Sequence, residues 1–349
     1  MKKIILLALA IRVIGIIIFR NVDNYDLQSY LQVGELTLKG ENIYPKIANL
    51  HHPYFPLFLY VEALGACLGR LGGLGRLGTI LILKLIVSLF DLGNVYLVYL
   101  LSKKNLNTAF LYAINPVLIL IFTLHGQFDA IPIFFFLYSL HLIKVRKEAF
   151  SILFLSTGIM VKTWPLLFFI PIYKRLKLKK LIVLVLILPT FSIVIYSLFF
   201  KANIFDIGKT IVSYQGLWGL WGPWIFLTNI RLRWQKLFIG IFLLAFFLFS
   251  FLKNSKSVFK EIRNLLFFFY VFTPTFSIQY FSWLIPFLTI VKPKNYWQIV
   301  MSVAGYLALS YLSWRSTLIN QSVLMIWGFI LWFYLASVFW MAYRKKYFV

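Results

Sequence analysis

Apolar runs fill most of this chain, interrupted at short intervals by small polar clusters. The opening run, MKKIILLALAIRVIGIIIF, could pass for a secretory signal. No small-residue cleavage site follows, and Arg12 interrupts it, so it reads as a retained transmembrane helix. Residues 20–55 are the most polar stretch of comparable length. Within them, YDLQSYLQVGELTLKGENIYP sets Tyr30, Val33, Leu36 and Leu38 at roughly helical spacing, with Gly40 and Pro45 beyond. The pattern predicts a short helix lying in the outer interface, then an irregular stretch to HHPYFP. Apolar segments follow at about 54–72, 79–101, 107–124, 129–143, 149–172, 180–200, 223–230 with 236–252, 264–291, 297–313 and 321–342. Several are shorter than the ~20 residues a straight crossing needs. If every basic cluster is to stay on one side, 54–72 and the Pro165-broken 149–172 must enter and return without crossing.

The runs are continuous rather than alternating, which selects helices over a closed barrel. The predicted fold class is an all-α polytopic membrane protein of about ten to twelve apolar helices. Residues 1–349 read as a single transmembrane domain without repeats or linkers. A second outer loop is expected over 201–224, where Trp218, Trp221 and Trp224 suit an interfacial aromatic belt or a platform for a sugar ring or prenyl chain. The GRLGGLGRLG run at 69–78 lacks a P-loop lysine and reads as a flexible cytoplasmic turn.

Composition sharpens this picture. The 349 residues are 61% hydrophobic and 13% charged, against about 25% charged in a soluble domain. The net charge of +25 would suggest a nucleic-acid partner in a soluble protein. Here the bases sit in short clusters between apolar runs, at 2–3, 103–104, 144–147, 174–180, 253–260 and 344–346, which is the positive-inside pattern. The partners implied are membrane lipids, not nucleic acid, and the polar first loop falls outside. Thirty-seven Phe, Lys-heavy basic usage and one cysteine hint at a prokaryotic, even archaeal, cell membrane.

Four of the ten carboxylates, Asp23, Asp26, Glu35 and Glu41, lie between residues 20 and 42. Asp91 and Asp129 lie inside apolar segments, where Arg12 and Lys162 are the basic counterparts. Charges at membrane depth cost about 2.5–3.5 kcal/mol on insertion scales and face polar interiors. Pairing of those bases with those acids as packing glue is one reading. In HGQFD, however, His125, Gln127 and Asp129 bring three polar side chains to one helix end, where they could line a cavity. His51 and His52 are adjacent and lack metal-site spacing, and no nucleotide-binding motif occurs. No cofactor is predicted, although a divalent cation at Asp23 and Asp26 stays open. Those two aspartates, three apart on a helix, share a face. They could serve as a glycosidase pair, hold a metal, or leave one of them as a general base for sugar transfer from a phosphate donor.

The order of motifs resembles the GT-C membrane glycosyltransferases. The first helix and its outer loop carry Asp26, Tyr30, Gly40 and Tyr44-Pro45. HHPYFPLFLY is similar to the family's Tyr-Pro-Pro-Leu entry, and INPVLILIFTLHGQFDAIPIFFF to its Asn-Pro and Gly-Gln-x-Asp stretch. GIMVKTWPLLFFIP resembles its Lys-x-x-Pro segment, and TFSIQYFSWLIPFL its Ser-Pro-Gln-Tyr stretch, with Ile278 in place of Pro. The match runs from about residue 10 to 290 and is nearest to polyprenyl-phosphate-mannose-dependent mannosyltransferases, including relatives of the GPI enzyme that adds the first mannose.

The resemblance implies a GT-C-like bundle that moves a hexose, mannose first among candidates, with inversion. The donor would be a polyprenyl- or dolichyl-phosphate sugar at the outer face, and the acceptor a lipid or glycan hydroxyl. It makes Asp26, four residues before Tyr30, the catalytic base. Asn24 stands where relatives often carry a second aspartate, which leaves Asp23 as helper. Arg12, Tyr30, His52, His125, Gln127, Asp129, Lys162, Gln279 and Tyr280 become candidates for holding donor or acceptor, with Arg231 and Arg233 as further cations. A transporter or flippase of lipid-linked sugars is the alternative, since it would use intramembrane charges and broken helices in much the same way.

Overall fold

A computed structural model describes residues 1–46, 52–213, 221–227, 230, 233–314 and 320–344. Among them all extended regular structure is helical, with sixteen α-helices and no strand. Four helices are long and apolar enough to cross a membrane: Gly75–Leu101, Lys179–Phe200, Gln235–Leu252 and Gln321–Tyr343. A fifth is reached if the broken pair Leu106–Ala113 and Pro116–His125 counts as one span. These features agree with an α-helical membrane protein. The chain forms two compact units, Met1–Ile114 with Ile121–Tyr214, and Asn115–Leu120 with Gln215–Val349.

In the first unit, α1 (Lys2–Ile18) and α4 (Gly75–Leu101) run antiparallel. The register is set by polar groups that the apolar pattern cannot bury alone. Arg12 and Asp91 are 1% and 0% exposed and meet at 2.7 Å. Tyr112 donates to the second Asp91 oxygen at 3.0 Å, and Arg12 also donates to the carbonyl of Ala113. Removing one partner of such a buried pair costs about 3–5 kcal/mol, because the other charge is left unpaired. Nearer the end of α1, Lys84 donates to the Phe19 carbonyl at 3.0 Å.

The predicted interfacial helix is α2 (Tyr25–Leu38). Asn24 caps it, accepting from the Leu27 N–H at 2.9 Å, and Glu41 N–H closes its far end on the Leu36 carbonyl at 3.0 Å. Its buried face is Leu27, Tyr30, Val33, Gly34 and Thr37 rather than the Tyr30, Val33, Leu36 and Leu38 of the sequence pattern, and Leu38 is exposed. The rotation follows from Gly34. A Cβ there would lie 2.6 Å from the Glu62 carbonyl, so the glycine lets α3 (Pro56–Leu71) approach closely.

Tyr30 meets Phe58, Gly34 meets Glu62 and Glu35 meets Arg70, so α3 runs parallel to α2 rather than crossing away from it. Arg76, just inside α4, reaches back to Asp23 at 2.7 Å. Residues 69–78 therefore sit at the same end of this unit as α2. The sequence reading put the glycine-rich run in the cytoplasm and α2 outside; the two share one end, so those placements do not hold together. Two ion pairs to the acids of the polar stretch hold the run there.

The remaining helices of this unit traverse between two chemically distinct ends. They are α5 (Leu106–Ala113), α7 (Ala130–Lys144) and α8 (Glu148–Val161), with α6 (Pro116–Ile119) belonging to the second unit. Lys144 reaches the Leu100 carbonyl at 3.5 Å, and the Glu148 carboxylate accepts from the N–H groups of Lys177 and Leu178. Basic clusters 103–104, 144–147 and 174–180 thus share one end, along with the start of α1. Of the two segments expected to enter and return, 54–72 is the single unbroken helix α3, while 149–172 doubles back on itself. It runs out along α8 to Lys162, then back through Trp164–Phe168 and α9 (Phe169–Tyr173) to the Glu148 end. At the opposite end the Tyr196 hydroxyl of α10 (Leu184–Phe200) accepts the Ile43 N–H at 3.1 Å and donates to Asn42 Oδ1 at 3.4 Å. Ile207 of α11 (Ile204–Ser213) packs there with Val33, Ile43 and Tyr44.

The second unit contains α12 (Gln235–Leu252), α13 (Val258–Phe272), α14 (Phe281–Val291), α15 (Tyr296–Ser313) and α16 (Gln321–Arg344). Trp221 is 1% exposed, donates to the Tyr270 carbonyl at 2.7 Å and stacks on Phe276. It is a core residue here, not a member of an interfacial belt. Trp224 is half-buried against Phe238, and Trp218 lies outside the described residues.

Candidate active site at the polar end of the first unit

Asp26 sits in the first turn of α2, where the helix dipole favours a carboxylate. Its Oδ2 accepts from His125 Nε2 at 2.9 Å and from the Gln127 amide. The side chain keeps 30% exposure, and no described residue donates to Oδ1. Burial pushes this carboxyl up. The hydrogen bond and charge of His125, the charge of Lys162 and the Gln127 bond together outweigh burial and hold it below the usual carboxylate range. One oxygen is thus anchored and the other is open, on a group that stays ionised.

The chain delivers His125 and Gln127 by breaking a helix. Asn115 caps α6, Pro116 follows, and Leu120–His125 widens into a π-helical stretch, with Gln127 N–H reaching the Ile121 carbonyl at 3.1 Å. Gly126 then turns the backbone at φ +82°, where a Cβ would lie 2.8 Å from Leu27 and 3.2 Å from Lys84. Three polar groups clamp the turn. Asn24 donates to the His125 carbonyl at 2.8 Å, Lys84 to the Leu124 carbonyl at 3.2 Å, and Tyr30 to Gln127 Oε1 at 3.2 Å. The Tyr30 bond fixes the Gln127 amide so that its NH₂ faces Asp26.

Beside this group, Lys162 pairs with Asp129 at 2.8 Å. Its ammonium lies 4.7 Å from the Phe128 ring centre and 5.6 Å from that of Tyr54. Phe128 stacks on Phe58 at 3.6 Å, and Tyr30 meets both edge-on, which makes a wall of aromatic rings. His52 stacks on the same Phe58 and lies 3.4 Å from Glu62, both fully buried. Neither His52 nitrogen and neither Glu62 oxygen makes a hydrogen bond. Burial drives His52 down to about 3, despite the opposing pull of Asp26, and raises Glu62 well above its ordinary value. Burial thus favours the uncharged form of each.

The structure thus brings together Asp26, Tyr30, His125, Gln127, Asp129 and Lys162, with His52 one ring away. Of the other candidates in this unit, Asp23 and Arg12 are held by different partners. Asp23 bonds Gln28 and Arg76 at the surface, so the two aspartates have separate partners. Arg12 is committed to Asp91 deep between helices. Gln279 and Tyr280 lie in the second unit. Gln279 accepts from the Ser277 hydroxyl, and Tyr280 stacks on Trp283 at 4.3 Å. Arg233 lies against Trp234, while Arg231 and His51 fall outside the described residues.

Lys84 and Glu62 are additions that sequence reasoning passed over, and Asn24, noted there only as the place of a missing aspartate, is a third. The signal for Lys84 and Glu62 was a lone charge in an apolar run, the same signal that singled out Asp91. Among the described residues no three His, Cys, Asp or Glu side chains converge as a metal site. No family model, curated protein or solved structure matches the chain.

Proposed function

We propose that this chain is an inverting membrane glycosyltransferase of GT-C type. It moves a hexose, mannose in the first instance, from a polyprenyl-phosphate donor to an acceptor hydroxyl at the outer face. The observation that carries the reading is the half-anchored carboxylate of Asp26. Oδ2 is held by His125 and Gln127, and Oδ1 is open on a side chain that is 30% exposed. In this scheme Oδ1 takes the proton of the acceptor hydroxyl as its oxygen forms a bond to the anomeric carbon. The bond from that carbon to the phosphate oxygen breaks, and the electron pair leaves with the polyprenyl phosphate. A phosphate departs without protonation, so one base suffices and no paired acid is needed.

Lys162 is the cation nearest this chemistry and suits the donor phosphate. Its pairing with Asp129 and its position over Phe128 restrain the ammonium without consuming all three of its N–H donors. The aromatic wall of Phe58, Phe128 and Tyr54 suits the apolar face of a sugar ring. The four basic clusters of the first unit lie at the end opposite Asp26. Under the positive-inside rule that supports an outward-facing site.

The test is transfer by the purified chain from radiolabelled polyprenyl-phosphate-mannose to a membrane lipid extract. Label is expected to move to a new acceptor, and Asp26→Asn to cut the rate at least about 10²-fold. Passage of the unmodified lipid-sugar into sealed vesicles without transfer would instead establish the flippase alternative.

A further inference from the structure

One side chain from a third segment joins the two stretches of chain that build the Asp26 group. Lys84, on α4, is fully buried, and its Nζ donates to the Phe19 carbonyl at 3.0 Å and to the Leu124 carbonyl at 3.2 Å. Both acceptors sit at helix ends, where carbonyls lack intrahelical partners and the dipole is negative. Phe19 closes α1 and leads into the Asn24 cap of α2. Leu124 lies at the end of the π-helical stretch, directly before His125. The next carbonyl, that of His125, accepts from Asn24 at 2.8 Å, so consecutive carbonyls are held by α4 and by the cap of the base's own helix.

The lysine stem and the glycine turn are fitted to each other. A Cβ on Gly126 would lie 3.2 Å from Lys84 Cε, so the glycine leaves open the path along which Nζ reaches the Leu124 carbonyl. We propose that Lys84 is a positioning residue for the base: it ties the end of α1 to the turn at 124–127 and so holds the His125 and Gln127 donors against Asp26 Oδ2. Asp26 takes its bonds from His125 and Gln127, so Lys84 acts through them. Moving those donors by about 1 Å would weaken both bonds and let burial raise the carboxyl. The role rests on the proposed transfer for its effect on rate, while its effect on the carboxylate is read without any substrate.

Infrared titration of the full chain in detergent follows the Asp26 carboxyl directly, its band identified by its loss in Asp26→Asn. Lys84→Met keeps the length of the stem and removes the donors. It is expected to move the Asp26 titration to higher pH than in the parent. It should also lower kcat about tenfold while KM for the polyprenyl-phosphate sugar changes less than about twofold. Lys84→Gln keeps N–H donors, so it should move the titration the same way but by less, and it serves if the Met variant does not insert. Lys162 is the other cation acting on Asp26, and Tyr25, Tyr30 and His52 are the titratable groups that feel its charge; none is altered in these variants. In a background of His125→Ala with Gln127→Ala, Lys84→Met should leave the titration where that background puts it, because the donors it positions are gone. An unmoved titration in the folded Lys84 variants, or an equal shift in the background without the donors, would overturn the role. Absence of transfer by the parent would overturn the proposed reaction and leave Lys84 to be decided by the titration alone.

Discussion

Asp26 keeps its negative charge in a place that ought to neutralise it. Half-buried beside aromatic rings, it is stabilised by donors that all fall on one oxygen, and the net effect holds its carboxyl below the ordinary range. Transfer should therefore hold from neutral pH down into the usual carboxylate range, near 4, before the base is lost. A pH–rate profile that already fell at pH 6 would identify a different base. His125→Ala or Gln127→Ala removes one donor from Oδ2, which should raise the acid limb of that profile and slow transfer less than Asp26→Asn does.

Burial pushes the neighbouring His52–Glu62 pair the other way, toward the uncharged form of each. His52 titrates below its unfolded value, so its contribution to stability is present above about pH 6.5 and is lost as pH falls toward 3. Glu62 titrates above its unfolded value. Its contribution is present below about pH 4.5 and is lost as pH rises, at about 1.4 kcal/mol per unit until the folded group ionises. Glutamine copies the protonated acid without that loss. Glu62→Gln is thus expected to unfold at a higher temperature than the parent in detergent at pH 8, with the gap shrinking toward pH 5. A lower melting temperature at pH 8 would mean that Glu62 is ionised in the fold.

At the scale of elements, the long apolar runs announced themselves, and so did the amphipathic helix after α1, because burial against lipid or core is written in hydropathy. The details that build the site were less legible, each for a physical reason. Asn24 looked like a missing aspartate, yet its amide both accepts from Leu27 and donates to the His125 carbonyl, a pair of roles a carboxylate cannot fill. The glycines at 69–78 suggested a loose turn, because single-residue chemistry does not reveal that Arg70 and Arg76 flank it and reach the acids Glu35 and Asp23. The π-helical widening at Leu120–His125 leaves no mark in an apolar run, since periodicity changes over only one turn.

Gly126 was quoted within its motif but gave no hint of its left-handed backbone. Gly126→Ala should cost about 1–2 kcal/mol from backbone strain alone. It also displaces His125 and Gln127 from Asp26, through the 2.8 Å approach to Leu27. The expected outcome is a modest drop in melting temperature with a disproportionate loss of transfer. A proportionate loss would mean that the turn serves folding only.

For the molecule as a whole, the separation of charge between the ends of the first unit is the feature that ties fold to function. Lys2, Lys3 and the clusters at 103–104, 144–147 and 174–180 gather at one end, while α2, His125, Gln127 and Lys162 gather at the other. No single cluster establishes this. It follows from the antiparallel register of α1 and α4, fixed by Arg12–Asp91, and from the return of the chain between Lys162 and Lys177. Under the proposed function, a lipid-linked donor would reach Asp26 from the end opposite the lysines. The single cysteine makes the arrangement testable, because Cys67→Ser leaves a background with no thiol. In that background Lys39→Cys, exposed beyond the end of α2, should react with an impermeant maleimide added to intact cells. Lys104→Cys and Lys147→Cys, both exposed at the basic end, should react only after the membrane is opened. Labelling of Lys104→Cys in intact cells while Lys39→Cys stays protected would turn the site inward, and the donor would then have to come from the cytoplasmic leaflet.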